Sequence, residues 1–166
     1  MRRRELLNWI GGTGVVLVAG GRRAVAAGAQ TTESPSHTLV LWRDGQEGQR
    51  LEIRGRVVNA SLQPLRGAEV SVRHAAPDGN YTGDYEGVMH TNSRGDYILR
   101  TALPGSYGRA VHIHVIVSHP EAGQEFTEMV FRGDEVLDKE HQQFGIVLET
   151  VRLNDQEVLV GNFDII

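Results

Sequence analysis

From Thr38 to the end of the chain, short β-branched and apolar runs alternate with turn signals, and no window of about 12 residues carries a helical period. A chain of this pattern must bury its apolar residues on the faces of strands. The candidate strands are Thr38–Trp42, Leu51–Asn59, Glu69–Ala75, Tyr97–Ala102, Val111–Ser118, Glu125–Phe131, Phe144–Leu153 and Glu157–Ile165. The breaks between them carry Asp44-Gly45, Pro64, Pro77-Asp78-Gly79-Asn80, Ser93-Arg94-Gly95, Pro104-Gly105, Pro120 and Gly133-Asp134. Many short strands with regular turns predict an all-β fold, a sandwich, with no substantial helix beyond the N-terminal segment.

The N-terminal segment has a different composition. Arg2-Arg3-Arg4 precede an apolar stretch from Leu6 to Ala19, and Ala24-Val25-Ala26 and Ala27-Gly28-Ala29 read as small-residue cleavage sites. Residues 1–29 are therefore expected to be an export signal, of the twin-arginine kind by its Arg3-Arg4 pair, with a periplasmic or extracellular destination. Residues 30–37, rich in Thr, Ser, Glu and Pro, are expected to be a flexible linker, and 38–166 one domain. The signal carries five arginines and one glutamate, so without it the net charge falls from −4 to −8. An acidic domain with a single lysine, Lys139, is a poor binder of nucleic acid. The chain has no cysteine, which excludes thiolate ligands, cysteine nucleophiles and disulfides. No span long enough for a membrane helix is expected once the signal is gone.

Chemistry concentrates in Val111-His112-Ile113-His114-Val115-Ile116-Val117. In a strand, residues i and i+2 share a face, so His112 and His114 offer two imidazoles side by side, as a strand offers two ligands to one metal ion. Tyr107 and Arg109 stand just before them, after the turn Leu103-Pro104-Gly105-Ser106. The stretch Ile53–Tyr107, with glycines where hairpins or bulges need positive φ, resembles prealbumin-like modules such as the carboxypeptidase regulatory-like domains. Many of those bind or space without chemistry, and a non-catalytic binding or structural module is the alternative reading.

The whole series narrows the resemblance. Gly67-Ala68-Glu69-Val70, Gly79-Asn80-Tyr81, Thr91-Asn92-Ser93-Arg94-Gly95-Asp96-Tyr97, Pro104-Gly105-Ser106-Tyr107, Arg109-Ala110-Val111-His112-Ile113-His114 and Phe131-Arg132-Gly133-Asp134 together resemble the intradiol ring-cleavage dioxygenases, closest to the short secreted members. That resemblance implies a mononuclear Fe(III) held by Tyr81, Tyr107, His112 and His114, with Tyr85 the substitute for Tyr81. It implies O₂-dependent cleavage of a catechol to a muconate-type diacid. Arg109 would face the substrate and Tyr107 would exchange a proton with it. Phenolate is a hard anionic ligand suited to a ferric ion, and a bound cation depresses a phenol's pKa. Tyr97 matches a structural tyrosine of the core, while His74, His90, His119 and His141 are expected at the surface. Glu128 stands where the family has a glutamine near the substrate, so a carboxylate here would disfavour an anionic aromatic acid. The helical N-terminal domain of the catechol dioxygenases has no counterpart in this sequence.

Overall fold

Alternation along the strands builds the core. In this computed structural model, which describes residues 36–166, nine strands form. They are β1 (Thr38–Val40), β2 (Arg50–Arg56), β3 (Glu69–His74), β4 (Glu86–His90), β5 (Asp96–Ala102), β6 (His112–His119), β7 (Gly123–Val130), β8 (Glu149–Leu153) and β9 (Gln156–Asn162). The expected signal, residues 1–29, and most of the expected linker lie outside the described residues. Five strands make one sheet in the order β1-β5-β2-β9-β8, and four make the other, β4-β3-β6-β7. Leu51, Ile53, Tyr97 and Leu99 of the first sheet and Val70, Val72, Ile113 and Val115 of the second belong to one buried cluster. This is the expected sandwich, with each sheet hiding one face. The only helical elements among the described residues are two 3-10 turns, Gly83–Tyr85 and His141–Gln143.

Three expectations need correction. Strand β4 is absent from the expected strands: Glu86-Gly87-Val88-Met89-His90 has one β-branched residue and a glycine at its second position. Gly87 is there because Leu39 and Leu41 pack on it, and a Cβ would lie 3.0 Å from Leu39 Cδ1. The run expected over Phe144–Leu153 is a strand only from Glu149, and Phe144 follows the second 3-10 turn instead. Finally, His74 is not at the surface.

His74 continues the inward series Val70, Val72, His74 of β3 and is fully buried. Its Nδ1 meets the Ala75 carbonyl at 2.7 Å and its Nε2 the Thr101 hydroxyl at 2.8 Å, while its ring lies 5.0 Å from that of Tyr85. Burial pushes the imidazole down to about 4, against the opposing pull of the Ala75 carbonyl. The folded pKa thus lies below the ordinary value of 6.5. Stability from neutral His74 is complete above pH 6.5 and is lost as pH falls towards 4, by roughly 3 kcal/mol over that window. Denaturant titrations at stepped pH should show this loss, and His74→Gln should flatten the slope between those values. His90 and His119 are half-buried and His141 is exposed, as expected of peripheral residues. Tyr97 is fully buried and its hydroxyl donates to the Phe163 carbonyl at 2.6 Å, which fits the structural role expected of it.

Candidate metal centre

The outward face of the four-stranded sheet is ruled by its register. Pairing of β4, β3, β6 and β7 sets Glu86, Arg73, His114 and Glu128 in one row across the strands. The next row is Val88, Ser71, Ile116 and Phe126, with Val88, Ile116 and Phe126 exposed. His112 and His114 share one side of β6, as their spacing predicts, with His112 buried, His114 half-buried, ring centroids 4.6 Å apart and planes at 83°. The start of β6 is pinned by Asp134, whose Oδ2 accepts the Val111 N–H at 2.5 Å while its Oδ1 accepts that of Val136 at 2.9 Å.

Two loops bring the tyrosines over this row. Asp78 shapes the first, its carboxylate accepting from the Asn80 backbone and side-chain N–H groups, each at 2.9 Å. Tyr81 follows, with its ring under the Arg73 guanidinium at 5.1 Å. The second loop carries Tyr107, and the Ser106 hydroxyl donates to the Arg109 carbonyl at 2.9 Å to close it. Tyr85, the substitute for Tyr81, is buried with Ala76 and Ala102 in a second apolar cluster, where its ring meets His74 and not the His112–His114 pair.

Four donor atoms then close into a ring. Tyr81 Oη lies 3.2 Å from Tyr107 Oη, which lies 3.0 Å from His112 Nε2. His112 Nε2 lies 3.2 Å from His114 Nε2, which returns to Tyr81 Oη at 3.2 Å. First-row cations hold nitrogen and oxygen ligands about 2.0–2.2 Å away, which sets neighbouring donors about 3.0–3.6 Å apart. The four edges match that spacing. The imidazole tautomers match too. His112 Nδ1 is engaged by the Ala110 carbonyl at 2.7 Å and His114 Nδ1 faces Glu128 Oε1 at 3.3 Å. The carbonyl keeps the His112 proton on Nδ1 and turns an unprotonated Nε2 to the common centre, and the carboxylate facing His114 Nδ1 favours the same tautomer there. The residues fit a hard metal ion on their own chemistry, two phenols and two imidazoles.

Charge around the ring is mixed. Burial pushes the Tyr81 phenol up to about 12, helped by its hydrogen bond to Tyr107 and the charge there, while Arg73 and Arg109 pull it down. Burial, then the neighbouring His112, holds His114 below the usual imidazole range, with Glu128 opposing. A neutral His114 is a ligand-competent one. Arg109 is exposed on the Tyr107 loop, close enough for its charge to act on both Tyr81 and His114. Glu128 can be grouped with His112 and His114 as a His-His-carboxylate set with donor atoms within 4.8 Å. It faces Nδ1 of His114, however, not the Nε2 edge that meets the tyrosines. One residue escaped the sequence reading, Arg73, while Asp134 appears there only within a motif and gains its role from the structure. Alternation could have found Arg73, which shares the outward face of β3 with Ser71. With Arg109 it supplies two cations beside the donor ring, and Arg73 pairs with Glu86 at 3.5 Å.

No protein-family model matches the chain. A chlorocatechol 1,2-dioxygenase of Pseudomonas sp. (strain P51) is 30% identical over 95 residues, 52% of this chain and 34% of the relative. One of Pseudomonas putida is 36% identical over 72 residues, 39% of this chain and 28% of the relative. Among solved structures, the dioxygenase domain of a dioxygenase carbohydrate-binding protein fusion from Streptomyces sp. SirexAA-E superposes with a TM-score of 0.63. It is 24% identical, and the match covers 85% of this chain and 93% of that one. The chain resembles the intradiol ring-cleavage dioxygenases in sequence and has their fold. This intradiol-type domain spans about a third of the length of the Pseudomonas relatives it matches. Against the catechol 1,2-dioxygenase of Acinetobacter radioresistens the TM-score is 0.69 at 20% identity, over 80% of this chain and 57% of that one.

Proposed function

We propose that this chain is an Fe(III)-dependent intradiol dioxygenase that opens the ring of a catechol between its two hydroxylated carbons. The observation that carries the reading is the closed ring of Tyr81, Tyr107, His112 and His114 donor atoms, with edges of 3.0–3.2 Å. Those four residues would hold the ion. When bound, a ferric ion gathers the catechol oxygens and draws electron density from the ring so that O₂ can attack it. Both oxygen atoms enter the product, one carbon–carbon bond breaks, and two carboxyl groups form without an external reductant.

The protein's own part is proton handling, charge and orientation. Tyr81 is clamped beneath Arg73, whereas Tyr107 rides on the exposed Ser106–Gly108 turn. Tyr107 is therefore the phenolate assigned to accept a catechol proton, within the 3.0 Å reach of His112 Nε2. Arg109, a cation on that same loop, stabilises the negative charge that develops on the opening ring. Phe126, whose ring centroid lies 5.9 Å from that of His114, lends an apolar flank to an aromatic substrate. Purified protein should contain about one iron per chain, be red-brown from phenolate-to-iron charge transfer, and consume O₂ with catechol. Tyr107→Phe should shift or weaken the visible band. Stoichiometric zinc with no visible absorption would sink the iron reading, and a colourless protein would favour the non-catalytic module.

We also infer export by the twin-arginine route, supported by Arg3-Arg4 ahead of a weakly apolar stretch. A site assembled from separate turns and strands needs a folded protein to capture its metal, and that route carries folded proteins. Replacing Arg3 and Arg4 together by lysine should hold a folded precursor inside the cell. Unimpaired export of the double variant, followed by cell fractionation, would refute the route and leave the dioxygenase reading standing.

A further inference from the structure

We propose that Glu128 is a positioning residue: its carboxylate fixes and electronically charges His114 from behind, outside the ligand set. The inference rests on the iron reading above and assigns to this chain's own glutamate a role that the donor ring alone does not require.

The register leaves Glu128 little choice. It is the cross-strand partner of His114 in the β6–β7 ladder, and both side chains lie on the outward face. Each is about 70% buried, with side-chain exposures of 28% for His114 and 30% for Glu128. The carboxylate Oε1 is 3.3 Å from Nδ1, so a modest tightening gives a charge-assisted hydrogen bond. No other ion-pair partner competes for Glu128 among the described residues, because the Arg73 of the same row is engaged by Glu86 at 3.5 Å.

The two imidazoles are therefore not equivalent. His112 leans on a neutral group, the Ala110 carbonyl, at 2.7 Å. His114 leans on an anion. A carboxylate behind an imidazole fixes its tautomer and makes the opposite nitrogen a stronger donor, and such outer partners are worth about 10–100-fold in metal affinity. Beside two phenolates, Glu128 adds a further negative charge near the centre. It thus favours the oxidised metal over the ferrous form.

The test uses the full folded protein with Glu128→Gln, which keeps an acceptor oxygen and loses the charge, and Glu128→Ala, which loses both. Far-UV circular dichroism and melting curves establish that each variant is folded. Competitive chelator titration should then show iron affinity falling about 10–100-fold in Glu128→Ala, with Glu128→Gln between. The charge-transfer band should move and the metal's reduction potential should rise in both. Cobalt(II) titration supplies a second readout, since any ion on His114 Nε2 should feel the same partner. Wild-type iron affinity and an unmoved band in both variants would overturn the proposal. Complete metal loss in Glu128→Gln, equal to that in His114→Ala, would also overturn it by making Glu128 a direct ligand. So would a change in KM for charged catechols with an unchanged substrate-free spectrum, which would make it a substrate contact. If the wild type takes up cobalt but no ferric iron, the iron reading fails while the cobalt arm still decides the role of Glu128.

Discussion

His112→Ala is expected to abolish iron retention and ring cleavage while leaving the sandwich folded, whereas Ile113→Ala, one residue along, should do the reverse. The two side chains leave the same strand on opposite faces. His112 contributes Nε2 to the donor ring, 3.0 Å from Tyr107 Oη and 3.2 Å from His114 Nε2, and lies outside the main apolar cluster. Its removal takes one of four donors. Since changes in outer partners alone cost about 10–100-fold in affinity, loss of a direct donor should exceed about 100-fold. The stability cost adds the loss of a buried ring to that of the hydrogen bond to the Ala110 carbonyl, the latter worth about 1 kcal/mol. Ile113 is fully buried between the sheets, and truncating it should cost about 2–5 kcal/mol through lost burial and a cavity. The folded fraction of Ile113→Ala should still be coloured. Metal analysis, the visible spectrum and urea denaturation on the pair decide the matter. A His112→Ala protein that keeps its iron and turns over catechol would place the chemistry elsewhere.

The same period-two argument explains which parts of the molecule were legible beforehand. It set His112 and His114 on one face, and the sandwich followed from the spacing of strands and turns. Applied to β3, it would also have put His74 inside with Val70 and Val72 and Arg73 outside beside Ser71. His74 has no partner at a ligand spacing in the sequence, and the groups that satisfy it, the Ala75 carbonyl and the Thr101 hydroxyl, are visible only in three dimensions. The tyrosines are another matter. Nothing in the spacing of Tyr81 and Tyr107, 26 residues apart, says that their hydroxyls meet. Resemblance to a family named them, and loop packing brings them together. Strand β4 stayed hidden for a similar reason, since Gly87 reads as a loop residue until the leucines of the opposite sheet are seen resting on it.

That loop packing makes Gly105→Ala a damaging small change outside the ligands. The two tyrosine-bearing loops touch through glycines placed two residues before each tyrosine. A Cβ on Gly105 would lie 2.2 Å from the Pro77 carbonyl oxygen and 2.6 Å from the Gly79 nitrogen. From the other side, Gly79 has φ of +85°, and a Cβ there would lie 2.6 Å from the Ser106 carbonyl oxygen. Both glycines donate their N–H to one acceptor, the Ala76 carbonyl, at 2.9 Å from Gly79 and 3.0 Å from Gly105. Every one of these contacts is with backbone, so no side-chain tip can swing aside. Ordinary contact begins at 3.4 Å, and the loops must therefore part by about 1 Å to admit a methyl group. Overpacking of this kind costs about 1–3 kcal/mol in stability. Its larger effect is on the 3.2 Å approach of Tyr81 Oη to Tyr107 Oη, because a misplacement of about 1 Å can cost about 100-fold in rate. Gly105→Ala should accordingly stay folded, with a weakened or shifted charge-transfer band and a loss of that order in kcat. Gly108 is the matched control, with φ of +89° on the same loop and open space where its Cβ would go. Gly108→Ala should show only the strain of a left-handed alanine, roughly 1 kcal/mol, and a nearly normal band. Equal effects from the two alanines would mean that loop flexibility, and not the glycine contact, sets the position of the tyrosines.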